Sequence, residues 1–155
     1  MEIIVVLDNI RSGFNVGNIL RTTEFLGIKK IIALGITPLP PHKEVIKTSL
    51  GAENNLEFER RYRLKSLIEE LKKEKYKIIA IEQSKNSIPY YKFTKKFKKI
   101  ALIVGNEIKG INKKHLQLCD YILEVPKKGK IKESLNVGIA FAIVLSHLVF
   151  HSKSS

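Results

Sequence analysis

Three stretches of this chain set hydrogen-bonding and charged side chains beside glycines. In "DNIRSGFNVGNILR" (8–21), Asn15, Asn18 and Arg21 recur at intervals of three. If Asn15 stands at a helix start, all three lie near one side of its first turns. Two amides and a guanidinium so placed can hold a polar ligand and supply fixed positive charge. The plainer roles are an N-cap for Asn15 and surface charge for Arg21. In "VGNEIKG" (104–110), Glu107 is an acceptor between Gly105 and Gly110. Such glycines let the backbone approach a ligand closely, and a tight turn would need them equally. In "KKGKIKESLN" (127–136), Lys127, Lys128, Lys130 and Lys132 lead into Ser134 and Asn136. Ser134 reads as the N-cap of a terminal helix, with Asn136 inside the first turn, where asparagine is disfavoured unless it has a task. The lysines form either a solvated face or a phosphate contact. Their position beside Gly129 and the open N–H groups of a helix start favours phosphate.

Other chemistries lack their residues. The second glycine of "VGNEIKG" is not followed by Lys-Ser/Thr, so this is no P-loop, and no G-x-G-x-x-G follows the first strand. Cys119 is the only cysteine, which excludes a disulfide framework and a cysteine-based zinc site. His42, His115, His147 and His151 show no metal-ligand spacing beyond the last two, which read as a frayed helix end. No metal is expected. The start, "MEIIVVLDNI", lacks the pattern of a signal peptide. The apolar tail, broken by Ser146 and His147, is short for a bilayer. A cytoplasmic protein without a membrane partner is expected. Twenty-eight Lys+Arg against fifteen Asp+Glu, a net charge of +13, point to a polyanion, nucleic acid before anionic membrane.

The elements that must position these loops follow from apolar patterning. Continuous apolar, β-branched runs at 2–7, 29–34, 77–83, 99–110 and 121–126 read as strands buried on both faces, the fourth ending in the glycine-bounded loop. A shorter strand is expected at 56–60. Helical spacing marks 15–27, 43–51, 64–75 and 112–119. In 64–75, Leu64, Leu67, Ile68 and Leu71 form the inward stripe. The terminal helix, within "ESLNVGIAFAIVLSHLVF" (133–150), has seven consecutive apolar residues from Ile139 to Leu145. A helix apolar all round must be buried all round. Alternating strands and helices in 155 residues predict one α/β domain, a mostly parallel sheet with helices on both faces. In such sheets, ligands gather at the carboxyl ends of the strands.

Together, "NVGNILRTTEFLG", "LIVGNEIKGI" and "VPKKGKIKESLNVGIAFA" resemble the three motifs of the SpoU/TrmH branch of the SPOUT methyltransferases, in order and at the usual separations. The resemblance covers nearly the whole chain. It implies a deep C-terminal trefoil knot, bound S-adenosylmethionine, a homodimer, and methylation of a ribose 2′-hydroxyl in tRNA or rRNA. It implies a single catalytic domain over 1–155 without an accessory RNA-binding domain. Matching cofactor positions are Ile81, Gly105 with Asn106 beside it, Val125, Ser134 and Leu135. Arg21 matches the catalytic arginine and Asn15 its supporting asparagine. Glu107 and Asn136 match the acidic and amide positions that hold the site together, with Ser134 beside them. Two positions depart from the pattern: Lys127 stands where an apolar residue often follows the proline, and Gly138 where serine is common.

In the family the arginine crosses from the partner subunit and is held to take the hydroxyl proton. A guanidinium is effectively always protonated, so phosphate binding and stabilisation of a developing alkoxide suit Arg21 better. The terminal helix would then pack one face on its own sheet and another on a second copy. RNA would dock on Lys127, Lys128, Lys130 and Lys132, and on "YKFTKKFKK" (91–99) through Lys95 and Lys96. The aromatics Tyr90, Tyr91, Phe93 and Phe97 are either stacking platforms or core. Two rival readings are a non-catalytic RNA-binding or assembly factor with the same fold, and a flavodoxin-like nucleotide-binding module whose phosphate loops are missing here.

Overall fold

In the computed structural model, which describes residues 1–151, the apolar runs line up side by side. β1 (Glu2–Asp8), β2 (Lys30–Leu34), β3 (Glu57–Arg61), β4 (Lys77–Ile81), β5 (Ile88–Pro89), β6 (Lys99–Gly105) and β7 (Tyr121–Glu124) form one sheet. Its order is β3-β2-β1-β6-β4-β7-β5 and every pairing is parallel. β1 and β6 run together from Glu2↔Lys99 to Asp8↔Gly105. Every residue of both strands after the first is buried. Central parallel strands covered on both sides need apolar groups in both directions.

Successive side chains feed opposite faces. Val5, Leu7, Leu102 and Val104 pack with Val16, Ile19 and Leu20 of α1 (Gly13–Phe25), Val45 of α2 (Lys43–Ser49), and Phe141, Val144 and Leu145 of α5 (Val137–His151). Ile4, Val6, Ala101 and Ile103 pack with Leu64, Leu67, Ile68 and Leu71 of α3 (Leu64–Lys73). Leu116, the last residue of α4 (Lys113–Leu116), joins the same face. The stripe in α3 is the one its spacing predicts. Each such buried leucine contributes about 2 kcal/mol through removal of apolar area from water.

Several boundaries move, each for a local reason. α1 begins at Gly13 because Ser12 is its cap, the Oγ accepting Asn15 N–H at 3.2 Å. α2 stops at Ser49, and Leu50 takes the left-handed conformation (φ 52°) ahead of Gly51. α4 is one turn, capped by Asn112 Oδ1 on Lys114 N–H at 2.8 Å. α5 starts at Val137: Asn136 caps it, its Oδ1 accepting Gly138 N–H at 2.8 Å and Ile139 N–H at 3.3 Å. Ser134 therefore lies upstream of the cap. The two-residue β5 was not expected, and its Pro89 is tolerated because β5 is an edge. The His147/His151 pair is no frayed end. The rings stack 5.1 Å apart, and their Nε2 atoms bond Phe93 O at 2.7 Å and Lys95 O at 3.0 Å.

The terminal helix only partly meets its expectation. Gly138, Phe141, Val144, Leu145, Leu148 and Val149 are buried, while Ile139 and Phe150 keep 52% and 59% of their surface exposed. Of the aromatics, Phe93 is core and Phe97 stacks on Tyr121 at 5.8 Å, whereas Tyr91 stays exposed. No helix among the described residues is long and apolar enough to cross a membrane.

α1 and α2 meet closely. A Cβ on Gly17 would lie 1.9 Å from Thr48 Oγ1 and 2.3 Å from Val45 O. Gly17→Ala is expected to cost about 2 kcal/mol through forced separation of the helices, more than alanine's helix propensity returns. Urea unfolding should show this as a lower midpoint at unchanged slope. A midpoint at or above wild type would mean the contact is not tight.

Candidate active site

The carboxyl ends of β4, β6 and β7 open onto a cavity of about 860 Å³. Ile81 closes β4, Gly105 closes β6, and Val125 follows β7; all three line it, as do Asn106, Glu107, Ser134 and Leu135. Loops far apart in sequence thus reach one space. Val104, Ile111, Ile122 and Val137 add apolar wall.

Glu107 ties this cavity to α1. Its Oε1 accepts Arg11 N–H at 2.8 Å, and its Oε2 accepts Ser12 N–H at 2.8 Å and Asn15 Nδ2 at 3.0 Å. Burial pushes the carboxyl upward, but the hydrogen bonds from Arg11, Asn15 and Ser12 outweigh it and hold the group below the usual glutamate range. Asn15 continues the chain: its Oδ1 accepts Asn136 Nδ2 at 3.2 Å. Asn136 in turn caps α5. One carboxylate and two amides therefore join the starts of α1 and α5 to the loop after β6. Asp8, beside Gly105 at the end of β1, behaves oppositely: burial raises its carboxyl, against the hydrogen bond from Asn9 and the charge of His115.

Two of the expected cofactor positions also hold the loop's own structure. Asn106 lines the cavity, yet its Nδ2 bonds Asn9 O at 2.8 Å and its Oδ1 takes Ile108 and Lys109 N–H, both at 2.9 Å, so its amide shapes the loop. Gly105 lacks a Cβ because one would meet Ile111 Cγ1 at 2.6 Å and Gly110 C at 2.9 Å. The close approach there is by the chain's own turn.

Arg21 is not on the cavity wall. It is exposed on α1 and borders a separate depression of about 370 Å³ with Glu24, Phe25, Leu50, Gly51, Ala52 and Asn55. It lies about 9 Å along the helix axis from Asn15. Its guanidinium has no ion-pair partner among the described residues. Lys127, Lys128, Lys130 and Lys132 are exposed on the loop before Ser134, with Lys127 paired to Glu133 at 3.3 Å. Lys95 and Lys96 are exposed elsewhere, Lys95 Nζ lying 5.3 Å from the Tyr121 ring centre. Lys85, Lys109 and Lys113 border the cavity itself and had drawn no notice in the sequence, nor had Glu82 and Glu124. Isolated charges after strands carry little local signal. Ser12 could have been found, since serine is a favoured cap just before a helical pattern. No cluster of metal-ligating side chains occurs among the described residues.

Residues 2–146 match the model of the SpoU rRNA methylase family. The 23S rRNA (guanosine(2553)-2′-O)-methyltransferase RlmP of Bacillus subtilis is 30% identical over 145 residues, 94% of this chain and 57% of that protein. An uncharacterized tRNA/rRNA methyltransferase of Borreliella burgdorferi is 32% identical over 142 residues, 92% of this chain and 61% of the relative. Among solved structures, an AdoMet-bound rRNA methyltransferase from Sinorhizobium meliloti superposes with a TM-score of 0.89 at 27% identity, covering 99% of this chain and 57% of that one. The chain spans about three fifths of the length of these relatives.

Glu107→Gln keeps the side chain's shape and removes its charge. A carboxylate with a depressed folded pKa stabilises the fold above its unfolded pKa and loses that contribution as pH falls through the folded value. The variant should be less stable than wild type at neutral pH in urea unfolding. The gap should close on acidification below the ordinary glutamate value of 4.5. Asp8 is common to both proteins and cancels in the comparison. A gap independent of pH would deny Glu107 an ionised role.

Proposed function

The chain belongs to the SpoU rRNA methylase family, and on that premise we propose that it methylates a ribose 2′-hydroxyl of tRNA or rRNA, with S-adenosylmethionine as methyl donor. The observation that carries the proposal is the convergence of the loops after β4, β6 and β7 with the start of α5 on one cavity. Its volume, about 860 Å³, falls within the usual range for small-molecule pockets. Ile81, Val104, Ile111, Ile122, Val125 and Leu135 suit the flat faces of an adenine ring, and strand ends can offer backbone donors and acceptors to its polar edge. The donor set fits the cofactor. When bound, S-adenosylmethionine supplies a methyl group on a cationic sulfur that departs as a neutral thioether.

The chain's own residues divide the remaining work. Glu107 orients Asn15, and its depressed pKa makes it a poor base at neutral pH. Asn15 and Asn136 hold the two helix starts in register at the rim of the cavity. Ser134 presents a hydroxyl on the cavity wall. Arg21 binds the phosphate next to the target ribose and stabilises the oxygen as its negative charge develops, and the proton leaves to water or phosphate. Because Arg21 stands off its own cavity, a second copy supplies it. The exposed Ile139 of α5 supports a homodimer, as does Phe25 of α1, 82% exposed four residues beyond Arg21. The family resemblance extends the reading to a C-terminal trefoil knot, and the start of the sequence and its short apolar tail favour a cytoplasmic location. Lys127, Lys128, Lys130 and Lys132, with Lys95 and Lys96, serve RNA docking, favoured by the net charge of +13.

Incubation with labelled S-adenosylmethionine and total tRNA or rRNA, followed by nuclease digestion, should yield a ribose-methylated nucleoside. Methylation on a base would overturn the reaction type, and cofactor binding without transfer to any RNA would return the non-catalytic reading. Arg21→Ala should keep calorimetric affinity for the cofactor and lose about 10²–10³-fold in turnover, as for removal of an oxyanion-stabilising donor. Co-refolding it with Asn136→Ala should recover about a quarter of wild-type activity, the share of intact composite sites in randomly mixed two-fold dimers. No recovery would place Arg21 and Asn136 in the same subunit's site.

RNA affinity should fall steeply with salt, the log–log slope growing by about 0.7–0.9 for each phosphate contacted. Replacing Lys128 and Lys130 by Ala should flatten that slope. A slope equal to wild type would remove both lysines from the interface.

A further inference from the structure

One residue past the end of β4, Glu82 presents its carboxylate on the cavity wall. Its Oε1 accepts Gln83 N–H at 3.0 Å, at the start of the exposed stretch 83–86 that borders the cavity on the β4 side. Its Oε2 accepts Ile111 N–H at 3.0 Å, in the loop that leaves β6. Its own N–H donates to Leu123 O at 3.1 Å, which adds β7 to the tie. The fit around the carboxylate is tight. Gly110 turns at φ 66°, and a Cβ there would stand 2.3 Å from Glu82 Oε2. The turn that aims Ile111 N–H at the carboxylate thus also needs a residue without a side chain beside it.

We infer that Glu82 is a positioning residue for the methyl-donor pocket: its carboxylate locks the loop after β4 to the Gly110–Ile111 turn and sets the width of the cavity before the donor arrives. This rests on the assignment of that cavity to S-adenosylmethionine. The physical basis is preorganisation. The stretch 83–86 is exposed and polar, and ordering it at the moment of binding would subtract from affinity. A carboxylate suits the task because both of its oxygens accept, so it serves two backbone N–H groups at once. Glutamine has one accepting oxygen and an amide group that faces the other N–H with the wrong polarity.

The test compares wild type, Glu82→Gln and Glu82→Ala by calorimetry with S-adenosylmethionine, by amide hydrogen exchange of the cofactor-free proteins, and by RNA affinity without cofactor. Glu82→Ala should bind S-adenosylmethionine about tenfold more weakly, the effect of losing charge-assisted hydrogen bonds of ordinary strength. Glu82→Gln should fall between, exchange at Gln83 and Ile111 should quicken in both variants, and RNA affinity should stay at the wild-type value. Should Glu82→Ala fail to fold, the Gln variant carries the measurement. Equal cofactor affinity across the three proteins overturns the inference, as does unchanged exchange at both amides. A parallel loss of RNA affinity also overturns it, because that marks general damage. Wild type that binds no S-adenosylmethionine sinks the assignment of the cavity instead, and amide exchange still decides whether the lock exists.

Discussion

A helix start leaves several backbone N–H groups without intrahelical partners and carries partial positive charge. α1 has no acidic residue in its first turn. Ser12 Oγ takes Asn15 N–H within the first turn, and Glu107 on the loop after β6 takes the N–H of the cap residue Ser12 from outside, together with Arg11 N–H and the Asn15 side-chain amide. Because Asn15 then meets Asn136, the cap of α5, the loop cannot shift without disturbing both helix starts. The register of β1 against β6 supplies the scaffold, setting Asp8 and Gly105 level so that the segments following them emerge side by side. Local charge, helix capping and strand register thus agree on one arrangement, and the cavity is what lies between the loops they fix.

The same network marks the boundary of what the sequence discloses. The strands of the sheet are legible because burial on both faces demands unbroken apolar runs, and β1, β4 and β6 appear where such runs lie. α3 is legible because one buried stripe alternates with charge. Helix starts are less so. Ser12 and Asn15, like Ser134 and Asn136, are paired candidates a few residues apart, all good caps by type. The choice between them is made by partners 92 and 121 residues away in the chain, Glu107 for Asn15 and Asn15 for Asn136. Aromatics among lysines at 90–99 read as either stacking platforms or core, and Phe93 and Phe97 turn to the sheet and pack with Tyr121. Spacing could not tell the faces apart, because the segment has no regular period beyond one short turn. Glu82 is hidden for the same reason as Glu107's full role: its meaning lies in an N–H group 29 residues away.

The glycines of the motif show how a residue can be required for a reason different from the one its type proposes. Gly105 and Gly110 invite a ligand to approach the backbone. Ile111 and the Glu82 carboxylate already fill those spaces. The loop's turn is therefore compact before any ligand binds, and its inner surface is a wall made by packing. Such a wall can take a cofactor with little reorganisation, which is where preorganised sites gain affinity.

The terminal helix raises the opposite case, a surface prepared but not satisfied within one chain. Six of its positions are buried, and Ile139 keeps 52% of its surface exposed. α1, which lies against α5, carries the exposed Phe25 and Arg21, the latter without an ion-pair partner among the described residues. In the proposed dimer, covering Phe25, one helical turn from Arg21, would bring a second copy against the part of α1 that holds the guanidinium. In a two-fold dimer the covering object is the same surface of another copy, so the burial that stabilises the assembly also moves each Arg21 toward the other chain. Under the proposed function, the hydrophobic effect places a charge that the single chain holds away from its own cavity. Cofactor binding, set by loops within one chain, would then be separable from turnover, set by association. The net charge of +13 opposes bringing two copies together, so an anionic RNA that bridges them would favour the association that completes the site.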